Sequence, residues 1–128
     1  MSDRGVAATL AGRFPARTVV TCDPRGLGRS TRKDGRTDQN PTVQAGDLHA
    51  LVQALGVGPV ELFGSSGGAV TALAWVTAHP TDVTTVVAHE PPLIPALPDA
   101  ETAERARQQV RDVYQAKGRG PGWRPSSA

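Results

Sequence analysis

Val60-Glu61-Leu62-Phe63-Gly64-Ser65-Ser66-Gly67-Gly68-Ala69 joins a strand-like run to a helix-like one through a turn of glycine and serine. Val60-Glu61-Leu62-Phe63, bounded upstream by Gly58-Pro59, reads as a short strand. Ala69 to Ala78 reads as a strongly apolar helix closed by His79-Pro80. Between them the chain spells G-x-S-x-G, and a serine on a sharp strand-to-helix turn is the setting of a nucleophile. The spacing has a steric reason. Residues two before and two after the serine must be small for the strand and helix backbones to approach. The Ser66 hydroxyl then stands at the C-terminal edge of the sheet, where the N-terminus of the following helix favours developing negative charge. Ser66 is the candidate nucleophile, the Gly67 N–H the expected oxyanion donor, and Gly64 and Gly68 the glycines that permit the turn.

Upstream, residues 2–14 read as an Ala-rich helix with Val6 and Leu10 at i, i+4 spacing, ended by Arg13-Phe14-Pro15. Thr18-Val19-Val20-Thr21-Cys22 is a β-branched run between Pro15 and Asp23-Pro24, which predicts a strand. Asp23 to Asn40 is a polar loop. Asn40 can cap a helix, and Pro41 suits its first position because a proline lacks only an N–H that has no partner there. Leu48, Leu51, Val52 and Leu55 then form one apolar stripe, stopped by Gly56. Downstream, Val83 to Ala88 predicts a further strand that runs into Glu90-Pro91-Pro92. Helices alternating with β-branched strands imply an α/β fold with parallel pairing and right-handed crossovers. Pro91 to Pro98 admits no regular structure. Asp99 is placed to cap a charged helix reaching about Lys117, with a weak stripe of Ala103, Ala106, Val110 and Val113. Residues 118–128 are rich in Gly, Pro and Ser, which predicts a disordered tail. No internal repeat is visible.

With 128 residues, the chain suits one domain of modest core. Hydrophobic residues make up 38% and aromatic ones only 4%, so that core must be built mainly from Val, Leu and Ala. Net charge is +2, and arginines gather at Arg25, Arg29, Arg32 and Arg36 and again at Arg105, Arg107 and Arg111. No interleaved aromatics or reading module accompany them, so they read as solvated surface and no nucleic-acid partner is expected. Cys22 is the single cysteine, which excludes an internal disulfide and agrees with a reducing compartment. No apolar run approaches the roughly 18 residues of a membrane span, and Met1-Ser2-Asp3-Arg4-Gly5 leads into no secretory core. These features predict a cytoplasmic protein with no membrane partner. Neither a phosphate-binding G-x-x-x-x-G-K-[ST] nor a G-x-G-x-x-G is present.

Asp23-Pro24-Arg25-Gly26-Leu27-Gly28-Arg29-Ser30 follows a predicted strand and resembles the D-x-R-G-x-G-x-S loop of α/β-hydrolases. The two motifs stand in the order of that superfamily, separated by one helix and one strand, and Val86 to Pro92 looks like the strand that leads into its lid. The resemblance runs from about Val6 to Leu93 and is similar in character to small bacterial esterases and cofactor-free haloperoxidase-like members. It implies a central fragment of a three-layer α/β-hydrolase-like core with a short, mostly parallel sheet, incomplete at both ends. Residues 1–93 would be that partial core, 94–117 the start of a helical lid, and 118–128 the tail. Asp23, Arg25 and Ser30 read as loop-shaping residues, with Gly26 and Gly28 permitting positive φ.

In that superfamily the triad follows the chain order serine, acid, histidine. Only His79 and His89 follow Ser66. His79 lies at the far end of the helix that begins beside the serine, about 20 Å away at 1.5 Å per residue, so it serves to end that helix. His89 as base and Glu90 as acid remain candidates, because parallel neighbouring strands lie about 4.8 Å apart; the alternative is that both shape the turn into Pro91-Pro92. The His-Gly-type turn that supplies the second oxyanion donor is absent, as is the strand that would lie between 18–22 and 60–63. The expectation is therefore a truncated chain with negligible activity. Its intact form would hydrolyse a small ester- or amide-like substrate through an acyl intermediate on Ser66. No metal or organic cofactor is expected, because no ligand spacing is visible. Two alternatives stand beside this: a non-catalytic module that binds a ligand or partner, and completion by a complementing chain that supplies the missing strands.

Overall fold

The computed structural model describes residues 9–36 and 38–118. The chain divides after Pro91 into two compact units. In the first, helix α1 (Pro41–Leu55) precedes strand β1 (Val60–Ser65), helix α2 (Gly67–Ala78), a 3₁₀ turn (Pro80–Asp82) and strand β2 (Val83–His89). The start of α1 is set as the sequence predicts: the Asn40 side chain accepts from the N–H groups of Thr42 (2.9 Å) and Val43 (3.2 Å), and Pro41 takes the first helical position. Gly56 ends it at φ 62°, a left-handed conformation that glycine enters at little cost.

β1 and β2 pair in parallel across the α2 crossover, with Leu62 opposite Val86, Phe63 opposite Val87 and Ser65 opposite His89. A register shift between Val60 and Glu61 resets the alternation of β2 after Val83, and the sheet has two unlike faces. On one face, Val60, Leu62 and Val83 pack against a core of Ala45, Val52 and Trp75 supplied by α1 and α2. Leu48 of the predicted stripe joins this core, whereas Leu55 stays exposed. Thr71 of α2 adds a polar tie, its Oγ1 donating to Gln44 Oε1 of α1 at 2.7 Å. On the other face, Phe63 and Val87 stand open to solvent. This parallel β-α-β arrangement establishes the α/β class.

The strand predicted over 18–22 is not formed. Residues 18–22 join no ladder, the sheet has two strands, and Val19 and Val20 are exposed. The physical reason is the absence of a partner. A β-branched run gains strand character only by pairing, and β1 exchanges its backbone bonds with β2 alone among the described residues. The segment is tied near β1 by the Arg17–Glu61 ion pair, yet the gap expected beside β1 does not close. Of the helix expected over 2–14, residues 9–11 are helical and 12–13 form a turn; residues 2–8 lie outside the described residues.

The second unit holds a 3₁₀ turn (Ile94–Ala96), which interrupts a stretch expected to lack regular structure, and helix α3 (Ala100–Lys117). Asp99 occupies the cap position, but its side chain makes no capping bond. Surface pairs support α3, among them Arg107 with Glu104 at 2.6 Å and Gln108 with Asp112 at 2.7 Å. Val110 and Val113 of the weak stripe are exposed. The tail predicted over 118–128 lies, beyond Gly118, outside the described residues.

Candidate active site

β1 ends at Ser65 and α2 begins at Gly67, so Ser66 alone makes the turn. It adopts φ 52°, ψ −123°, a region costly to any residue with a Cβ. Backbone bonds on both sides hold it there. The Ser66 N–H donates to the His89 carbonyl at 2.9 Å, and the Ser66 carbonyl accepts from Ala69 N–H at 2.9 Å and Val70 N–H at 3.3 Å. Its residue surface is exposed and its hydroxyl makes no hydrogen bond among the described residues. The Gly67 N–H opens α2, where the first helical N–H groups lack intrahelical acceptors.

The two flanking glycines differ in their roles. A Cβ on Gly64 would lie 2.6 Å from the Gly68 carbonyl oxygen and 3.0 Å from Ala69 Cα, so the approach of strand to helix requires glycine there. A Cβ on Gly68 would meet nothing within 4 Å. The small-residue requirement expected at both positions therefore holds at Gly64 alone. The close approach is made onto the Gly68 backbone, while its Cβ direction points into open space.

His89 lies at the same sheet edge as Ser66, but its ring is engaged elsewhere. Ser65 and His89 are register partners, and Ser65 Oγ lies 3.2 Å from His89 Nδ1. Glu90 takes a positive φ of 48° and sets its Oε2 4.0 Å from the same Nδ1. Both groups address one ring nitrogen, and among the described residues no hydrogen bond joins the imidazole to the Ser66 hydroxyl. The described residues thus bring Ser66, Gly67, His89 and Glu90 to one edge without joining them into a triad.

The Asp23–Ser30 loop is held by its own groups. Asp23 Oδ2 accepts from the Arg29 N–H at 2.9 Å, the Gly26 N–H donates to the Ser30 carbonyl at 2.7 Å, and a Cβ on Gly28 would run into the Asp23 carboxylate. The Arg25 guanidinium forks onto Asp47 of α1 and holds that carboxyl below its usual range. Arg32 and Arg36 pair with Asp34 and Asp38.

One constellation escaped the sequence reading. At the end of α2 remote from Ser66, the buried Asp82 carboxylate accepts from His49 Nδ1 at 2.6 Å, Trp75 Nε1 at 2.9 Å and Gln53 Nε2 at 3.4 Å. The hydrogen bonds from His49 and then Trp75 hold the Asp82 carboxyl below its ordinary value. The His79 ring stacks on His49 with centroids 3.9 Å apart and planes 8° from parallel. His79 does end the helix, its N–H donating to the Trp75 carbonyl, but it is also part of this cluster. The i, i+4 pairs His49/Gln53 and Trp75/His79 were a partial signal; their convergence on Asp82 depends on how α1 and α2 pack.

Comparison with known proteins agrees with the architecture. The family model for the alpha/beta hydrolase fold matches residues 2–119. The uncharacterized hydrolase YraK of Bacillus subtilis (strain 168) is 34% identical over 96 residues, which is 75% of this chain and 35% of that protein. The proline iminopeptidase of Xylella fastidiosa (strain 9a5c) is 36% identical over 69 residues, 54% of this chain and 22% of that protein. The chain thus matches about a third and about a fifth of the lengths of these relatives. No helix of the described residues is long and apolar enough to cross a membrane. A family match spanning nearly the whole sequence, together with the strand–serine–helix turn at Ser66, places this chain in the alpha/beta hydrolase fold family.

Proposed function

We propose that this chain carries the nucleophile of a serine hydrolase, Ser66, acting on a small ester- or amide-like substrate. The observation that supports this is the Ser66 backbone at φ 52°, ψ −123°, held by backbone bonds on both sides with its hydroxyl uncommitted. In the reaction, Ser66 Oγ attacks the carbonyl carbon and loses its proton to a base. The leaving alcohol or amine departs protonated, and water then cleaves the acyl-serine. The Gly67 N–H would donate to the oxyanion. One relative is named as a peptidase, which keeps amide bonds among the candidates.

The base and acid are the open part of the site. His89 contacts Ser65, so the base is proposed to come from sequence that the longer relatives carry, in the same polypeptide or in a complementing one. Removing a triad member lowers turnover by about 10⁴ to 10⁶ in serine hydrolases, while oxyanion donors alone retain about 10³ over water. This chain by itself is therefore expected to turn over p-nitrophenyl acetate no faster than its Ser66→Ala variant on a steady-state assay. Prolonged incubation with an alkyl fluorophosphonate at high pH should still label Ser66, as read by peptide mass spectrometry. The label should vanish in Ser66→Ala and persist in Ser65→Ala. Label on Ser65 instead would transfer the nucleophile assignment to that residue.

The engagement of His89 by Ser65 also favours a second reading, a non-catalytic module that binds a ligand or partner. Absence of any Ser66-dependent label would support it. The single cysteine, Cys22, is exposed and unpaired, which supports a cytoplasmic location for either reading.

A further inference from the structure

We propose that His49, His79 and Asp82 form a binding site for a divalent cation of the zinc class, some 20 Å from Ser66 by helical rise and independent of its chemistry. One ligating atom from each residue lies within 4.8 Å of those of the other two. Tetrahedral zinc, with bonds of about 2.0–2.1 Å, needs donors about 3.3 Å apart. His49 Nδ1 and Asp82 Oδ2, now 2.6 Å apart, would open slightly and the His79 ring would swing in, which completes three corners and leaves the fourth to water. Two imidazoles and one carboxylate suit a borderline cation and not magnesium, which prefers oxygen ligands and its own water.

The surroundings already resemble those of a ligand set. Asp82 is buried, and Trp75 Nε1 and Gln53 Nε2 orient its carboxylate, as outer-shell donors do around metals. His79 makes no ring hydrogen bond among the described residues and stacks on His49. It also follows the last residue of α2, outside the helix proper. Its lone pair is therefore available. Two rings 8° from parallel and 3.9 Å apart cannot both direct lone pairs at one ion, so binding turns the His79 ring out of the stack. The metal replaces the proton that His49 Nδ1 shares with Asp82, and that proton passes to solvent. Affinity then falls as pH drops. Bound metal clips α1, the end of α2 and the 3₁₀ turn before β2 to one another.

The test uses the untagged full chain and zinc chloride. About 100 µM zinc should raise the thermal midpoint by about 5 °C or more while magnesium leaves it unchanged. Calorimetry should give one zinc per chain with proton release, and cobalt(II) should develop visible absorption of a four-coordinate ion. His79→Asn, which forfeits no ring hydrogen bond, should keep the zinc-free midpoint within a few degrees and weaken zinc at least tenfold. Cys22→Ser should bind as the wild type does. Failure of the wild type to bind one zinc, or equal binding by His79→Asn or Asp82→Asn, overturns the site. Should Asp82→Asn not fold, the cobalt spectrum and the His79→Asn titration still decide it.

Discussion

At Ser66 the backbone is held in a conformation that costs a residue with a Cβ about 1–3 kcal/mol. That cost is borne because the strand on one side and the helix on the other each tie down a neighbouring peptide. Ser66→Gly removes the strain but adds about 0.5–1 kcal/mol of unfolded-state freedom. Its expected net effect is a stabilisation of about 0.5–2 kcal/mol in urea denaturation, with no fluorophosphonate labelling. Such a result would mark the strain as kept for function and not for folding. The neighbouring glycines predict opposite outcomes. Gly64→Ala forces a methyl against the Gly68 carbonyl and should destabilise by about 1–3 kcal/mol. Gly68→Ala enters open space in the first turn of α2 and should be neutral or stabilising by up to about 1 kcal/mol. Matched urea curves compare the pair, and equal losses would contradict the geometry. The glycine–serine spacing was legible in the sequence as a turn. That only one glycine is sterically required was not, because the direction of a Cβ depends on the observed backbone.

Among the elements, α1, β1, α2 and β2 were readable because their signals are local. Asn40-Pro41 caps, Gly56 stops, and β-branched runs alternate with apolar helices. The run at 18–22 carries an equally strong local signal and yet forms no strand, since pairing is a property of two segments. The junction of α2 with the turn before β2 depends on Asp82. Its folded-state pKa lies below that of the unfolded chain, mainly through the bond from His49 and then that from Trp75. The stabilisation is therefore present above the unfolded carboxyl value, near pH 4, and is lost as pH falls through the lower folded value. Asp34, Asp38, Asp47 and Glu104 are shifted in the same direction, so the wild-type acid slope is a composite. Asp82→Asn should lower the urea midpoint at pH 7 and flatten the acid slope below about pH 4 relative to wild type. Parallel pH profiles for the two proteins would show that Asp82 contributes nothing to acid sensitivity.

The core of the first unit as a whole rests on few residues. Ala45, Val52 and Trp75 are its buried cluster, and Trp75 is the large member. Trp75→Ala should cost about 3–5 kcal/mol, a large share of the 5–15 kcal/mol typical of a domain. Far-UV circular dichroism should then show loss of the cooperative transition; an intact transition would place the core elsewhere. Phe63 and Val87 leave one sheet face open, and among the described residues β1 has one ladder partner, so these residues display the central β-α-β part of the α/β-hydrolase fold. The amino-acid sequence by itself determined the α/β class, the family, the strand–Ser66–helix turn and the caps of α1, since each follows from periodicity, turn chemistry or contiguous motifs. Tertiary structure alone decided that 18–22 stays unpaired, that His89 meets Ser65 and not Ser66, and that His49, His79 and Asp82 converge. The physical reason is common to all three. Each depends on which distant segments touch, and contacts between segments leave no mark in the spacing of residues along one of them. At the turn itself, the sequence could place Ser66, but only the packed sheet shows that the neighbouring His89 turns to Ser65.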